Sequence, residues 1–122
     1  MKTILVAGLI NIETTLKVDG FPIPYFPVTY PFFGVNTTVS GVGYNLAKAH
    51  ITLGNQVNFC TLIGPSDEPA AQITHQAMQQ DCIPDDYILH TLRQTPQSVI
   101  LYDPSGKREI YTDLKDIQEN RY

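Results

Sequence analysis

Residues 4–8, Ile4-Leu5-Val6-Ala7-Gly8, form a run with no polar side chain and no alternation. A strand of that kind suits burial on both faces, which in soluble proteins means a parallel sheet under helices. Parallel neighbours cannot be joined by a tight turn and need long, usually helical, crossovers. The sequence supplies them. Val42, Leu46, Ala49 and Leu53 fall at helical spacing and Gly54 stands where a left-handed stop is needed, which predicts a helix over 42–53. "QVNFCTLIG" (56–64) reads as the next strand. A second helix is predicted over 67–80, with Ser66 or Asp67 as N-cap and Pro69 in its first turn. "DYILHTL" (86–92) is a candidate short strand. "SVILYDPSGKREIYTD" (98–113) is a hairpin, turned by Asp103-Pro104-Ser105-Gly106.

The stretch between the first strand and the first helix is different in kind. "ETTLKV" (13–18) is β-branched, "DGFPIPYFP" (19–27) is proline-rich, and "VTYPFFGVNTTV" (28–39) is aromatic and β-branched with Pro31 and Gly34 interrupting it. We read these as strands of a small outlying sheet with an exposed turn. The result is an α/β arrangement with a β appendage. The tail "LKDIQENRY" (114–122) is polar and is predicted to form no closing element, so further protein is expected after Tyr122.

Composition narrows the function classes. At 122 residues, 43% hydrophobic and 16% charged, the chain fits one soluble domain. Eight basic residues, scattered along the sequence, against twelve acidic ones give a net charge of −4, which argues against nucleic acid as a partner. The first apolar run is broken at Asn11 and Glu13, so it resembles neither a leader peptide nor a membrane span. Cys60 and Cys82 lack CxxC spacing and a histidine at ligand distance, so no zinc motif or disulfide framework is expected, and a reducing cytoplasm fits best. His50, His75 and His90 read as unpartnered structural residues.

"SGVGYNLAKAHITLG" (40–54) carries the chemistry. Gly41-x-Gly43 at a helix start resembles a dinucleotide fingerprint, but Leu46 replaces its third glycine, and no Gly-Lys-Ser/Thr follows for a phosphate loop. The wider pattern, Ser40-Gly41-x-Gly43-x-Asn45-x-Ala47, then Gly54 and Gly64, resembles the N-terminal signature of pfkB or ribokinase-like carbohydrate kinases, with Ser40 in place of the usual Gly or Ala. The triplet Asn11-Ile12-Glu13 resembles the family's sugar-holding Asn-x-Asp, with Glu13 a departure.

The resemblance covers essentially the whole chain. It implies the N-terminal portion of a three-layer α/β/α fold with a protruding β lid made by residues of about 14–39. It also implies a sugar cradle of Asn11, Glu13, Gly41 and Asn45, and a lid that pairs with that of a second subunit. The aromatic set Tyr25, Phe26, Tyr30, Phe32 and Phe33 suits lid core, sugar stacking or such an interface. In the family the catalytic base lies in a Gly-Ala-Gly-Asp motif of the C-terminal half, where ATP and magnesium also bind. That motif is not in this sequence, so no catalytic, cofactor or metal residue is assigned, and the chain alone is expected to be inactive. Two other readings stand beside this one: a non-catalytic sugar-binding or dimerisation module, and a nucleoside kinase fragment whose cradle holds a ribose.

Overall fold

In the computed structural model, which describes residues 1–121, the chain builds two sheets. The first consists of β1 (Thr3–Ala7), β4 (Gln56–Leu62) and β5 (Tyr87–Leu89), all parallel, in the order β1-β4-β5. The second contains β2 (Asn11–Lys17), β3 (Val35–Ser40), β6 (Gln97–Tyr102) and β7 (Arg108–Asp113), in the order β3-β2-β6-β7. Here β2 pairs antiparallel with β3 and parallel with β6, and β6 and β7 form the expected hairpin. The outlying sheet is therefore broader than residues 14–39, because the hairpin completes it.

Two helices make the crossovers, α1 (Val42–Thr52) and α2 (Pro69–Gln80). Successive strands step in one direction, so right-handed connections put both helices on the same face of the parallel sheet. That face carries the core, where Val6, Val57, Phe59 and Ile63 meet Tyr44 and Ala47 of α1 and Ala71 and Met78 of α2.

Three expectations are corrected. β1 is not buried on both faces: Val6 is 4% exposed but Leu5 is 70% exposed, so this edge strand is covered only on the side of the helices. The buried side of α1 is Gly43, Tyr44 and Ala47, whereas Val42, Leu46 and Leu53 of the apolar stripe face solvent. The reason is that glycine and alanine permit a closer helix–strand approach than the large aliphatics would. Finally, α2 starts after Glu68 and not after Ser66 or Asp67. The Glu68 carboxylate accepts from the Thr95 backbone N–H at 3.1 Å and the Thr95 hydroxyl at 2.5 Å, and Thr95 Oγ1 accepts from Gly64 N–H at 3.0 Å. This chain of bonds ties the start of α2 to the segment that carries the chain from one sheet into the other.

The polar tail has more order than predicted. Arg93 N–H donates to both carboxylate oxygens of Asp116 at 3.1 Å, its guanidinium reaches Glu119 at 3.0 Å, and residues 117–119 form a 3-10 turn.

Candidate functional site

The junction between the sheets is set by three glycines. Gly41, the residue before α1, has φ 111°, and a Cβ there would strike the Leu9 carbonyl. A Cβ on Gly43 would lie 2.6 Å from the Gly8 carbonyl carbon and 2.8 Å from Gly8 Cα. The first turn of α1 therefore sits directly on the chain between β1 and β2. Tyr44 N–H donates to Leu9 O at 3.2 Å and Asn45 N–H to Gly41 O at 2.9 Å. The N–H groups of Val42 and Gly43 have no acceptor within the helix, as first-turn donors do not, and no side chain caps them.

Beside this helix start lies one face of the outlying sheet. Residues i and i+2 of a strand share a face, and so do paired residues on neighbouring strands. Asn11 pairs with Ser40 and Glu13 with Thr38 on one side, while Glu13 pairs with Ser98 on the other and Ser98 with Thr112 beyond it. All six side chains consequently occupy one face. Hydrogen bonds join some of them in two sets: Asn45 Nδ2 donates to Ser40 Oγ at 3.3 Å, and Asn11 Nδ2 donates to Ser98 Oγ at 2.5 Å and Ser98 Oγ to Thr112 Oγ1 at 3.2 Å.

Asn11 is 4% exposed, yet its Oδ1 has no hydrogen-bond donor. A buried amide oxygen in that condition costs about 1–3 kcal/mol, so native proteins rarely leave one without a purpose. Glu13 is half-buried on the same face and takes part in none of the ion pairs among the described residues. Thus Asn11 and Glu13 share one strand face, Asn45 joins it through Ser40, and Gly41 forms the close backbone approach between them. Sequence reasoning missed Ser40, Ser98 and Thr112 as members of this network. The available signal was their register opposite Asn11 and Glu13, which strand alternation alone does not reveal.

The donor set is hydroxyls, amides and one carboxylate. It suits an uncharged ligand with several hydroxyls, since Asn offers both donor and acceptor and a carboxylate accepts from adjacent hydroxyls. It does not suit a triphosphate, which would meet the Glu13 charge and no lysine or arginine in the network. Among the described residues no cluster of three or more His, Cys, Asp or Glu could hold a metal ion.

Also from the first turn of α1, the Tyr44 hydroxyl donates to the Asp81 carboxylate and lies 3.3 Å from Ala77 O. Burial, the bond to Asp81 and the Asp81 charge, in that order, push the Tyr44 phenol well above its ordinary value. Lys48 Nζ stands 3.7 Å from the same carboxylate, so the end of α2 is clamped to α1.

The architecture matches the N-terminal part of the ribokinase fold. A ribokinase from Thermotoga maritima superimposes with a TM-score of 0.74 at 24% identity, over 93% of this chain and 36% of its own. A nucleoside kinase from Methanocaldococcus jannaschii gives 0.72 at 16% identity, over 93% of this chain and 37% of that one. A structure from Agrobacterium tumefaciens, described provisionally as a ribokinase, gives 0.81 at 18% identity, over 99% of this chain and 39% of that one. The chain thus spans little more than a third of the length of the kinases it resembles, and at these identities the likeness establishes the fold. No protein-family model and no curated protein sequence matches it. No helix among the described residues is long and apolar enough to cross a membrane.

Proposed function

We propose that this chain is the sugar-binding and lid portion of a carbohydrate kinase of the ribokinase type. The observation that carries the reading is the orphaned Asn11 Oδ1, a buried acceptor on the face shared with Glu13 and with Ser40, to which Asn45 donates. A sugar hydroxyl would satisfy it. Glu13 would accept from two neighbouring hydroxyls, Asn45 would fix a third, and Gly41, packed against the Leu9 backbone, would hold the helix start beside them. ATP and magnesium enter only with the complete enzyme, which would pass the γ-phosphoryl group to a sugar hydroxyl. The residues described here do not fit a triphosphate, so no transfer step is derived from them, and residues 1–122 alone are expected to show no kinase activity.

Calorimetry of the chain against pentoses, hexoses and adenosine tests the reading. Sugar binding is expected, at least tenfold weaker in Glu13→Gln and in Asn45→Ala. Preference for adenosine over every free sugar would move the reading to a nucleoside kinase, and indifference to all of them would leave an interaction module.

The lid half of the reading includes self-association. Tyr25, Tyr30, Phe32 and Phe33 are 87%, 74%, 86% and 100% exposed on the long connection between β2 and β3, and β3 is itself a sheet edge. That much aromatic area beside an open edge favours a second copy of the same sheet. Sedimentation velocity should give a concentration-dependent dimer, lost in the double variant Phe32→Asp, Phe33→Asp; a monomer at all concentrations would refute it.

A further inference from the structure

His75 on α2 and His90, just beyond β5, were expected to be unpartnered, but the structure brings them together. Their Nε2 atoms are 3.4 Å apart while the ring centroids are 5.4 Å apart, so the rings meet at their Nε2 corners and not face to face. The other nitrogen of each ring is engaged. His90 Nδ1 lies 2.8 Å from the Gly64 carbonyl, and a carbonyl can only accept, so that nitrogen carries a proton. His75 Nδ1 lies 3.5 Å from an Asp85 carboxylate oxygen, which favours the proton there as well. A proton on His75 Nε2 would make this contact a ring-to-ring hydrogen bond, whereas a proton on His75 Nδ1, facing Asp85, leaves two Nε2 lone pairs opposed, and a cation between them relieves the opposition.

A proton would do so, and so would a metal. Metal-ligating histidines characteristically donate the remote ring N–H to a carbonyl or carboxylate, which is the arrangement of both rings here. Two nitrogens bound at about 2.0–2.1 Å to one tetrahedral zinc stand about 3.3–3.4 Å apart, which matches the observed separation. The His75 side chain is 29% exposed and His90 is exposed, so an ion has access from solvent.

We propose that His75 and His90 form a two-histidine site for a divalent ion of the zinc type, joining α2 to the segment that follows β5. Gly64 and Asp85 orient the rings, and two further positions on the ion belong to water. Binding displaces any proton held between the rings into solvent and stiffens the β4–α2 turn, since His90 holds Gly64 O while Thr95 holds Gly64 N–H. The site is separate from the polar face of the outlying sheet and does not depend on a sugar ligand.

Titration of the tag-free chain with zinc chloride should show one ion per chain and a raised Tm, with no such response to magnesium chloride. His75→Ala and His90→Ala should each weaken zinc binding at least tenfold, and His50→Ala, whose ring contacts Asn55 instead, should not. Imidazole nitrogen NMR on the unmutated chain gives a readout independent of variant folding: both Nε2 resonances should move to metal-bound positions while both Nδ1 protons persist. Absence of zinc binding up to millimolar concentration, binding that survives in the His75→Ala, His90→Ala double variant, or Nε2 resonances that report only a shared proton would each overturn the proposal.

Discussion

Asn11 donates through Nδ2 to Ser98 Oγ at 2.5 Å across 87 residues of sequence, while Oδ1 of the same amide has no donor. Half of this side chain therefore serves the fold, and half is left without a partner.

That division predicts an unusual substitution profile. Asn11→Ala deletes one hydrogen bond of net worth about 1 kcal/mol and also removes the buried acceptor that was costing a similar amount. Urea unfolding should register a loss of about 1 kcal/mol or less, although the residue is 4% exposed. A loss above about 3 kcal/mol would mark Asn11 as a structural group, with no acceptor kept for a ligand.

The glycines at the junction should separate into two classes. Gly54 has φ 84° but nothing within 4 Å of its would-be Cβ, so Gly54→Ala should cost about 1–2 kcal/mol, the ordinary penalty of the left-handed region. Gly41→Ala adds a clash with the Leu9 carbonyl, and Gly43→Ala drives a methyl into Gly8. Each should cost about 3 kcal/mol or more in the same assay, because the obstructing atoms are backbone and cannot rotate away.

Tyr44 gives a test at alkaline pH. Its phenol titrates above the ordinary tyrosine value when folded, chiefly through burial and then through Asp81. The unfolded chain releases that proton first, so the stabilisation is whole below about pH 10 and declines as pH rises beyond it, by at most about 1.4 kcal/mol per pH unit. Tyr44→Phe should flatten this decline relative to the unmutated chain, in urea midpoints measured from pH 9 to 11. An identical slope in both proteins would show that the other tyrosines account for it.

Much of this architecture was legible in the sequence. The aliphatic run at Ile4–Gly8 did give a parallel strand, though one of its faces is open, and the Gly54 stop and the Asp103–Gly106 turn each use a local rule that tertiary structure did not override. Asn11 and Glu13 were grouped through their resemblance to the Asn-x-Asp triplet of ribokinase-like kinases, and strand geometry accounts for their shared face, since residues two apart lie on one side. What alternation could not supply was register. Ser98 and Thr112 join the network only because β6 crosses from the parallel sheet to lie beside β2, and a serine in a strand reads equally well as solvent-facing. The α1 stripe was misread for a related reason. Counting large aliphatics favoured Val42 and Leu46, whereas the helix packs by Gly43, Tyr44 and Ala47. The His75–His90 pair left no periodic trace, as its two members lie on different elements brought together by the β4–α2–β5 crossover.

At the contact of Gly8 with Gly43, the interval between helix and strand is ruled by main-chain atoms alone. The frame of the cradle is therefore independent of the groups that furnish it. Under the proposed function, exchanging the carboxylate at 13 or the amide at 45 would retune which molecule is held without shifting the scaffold.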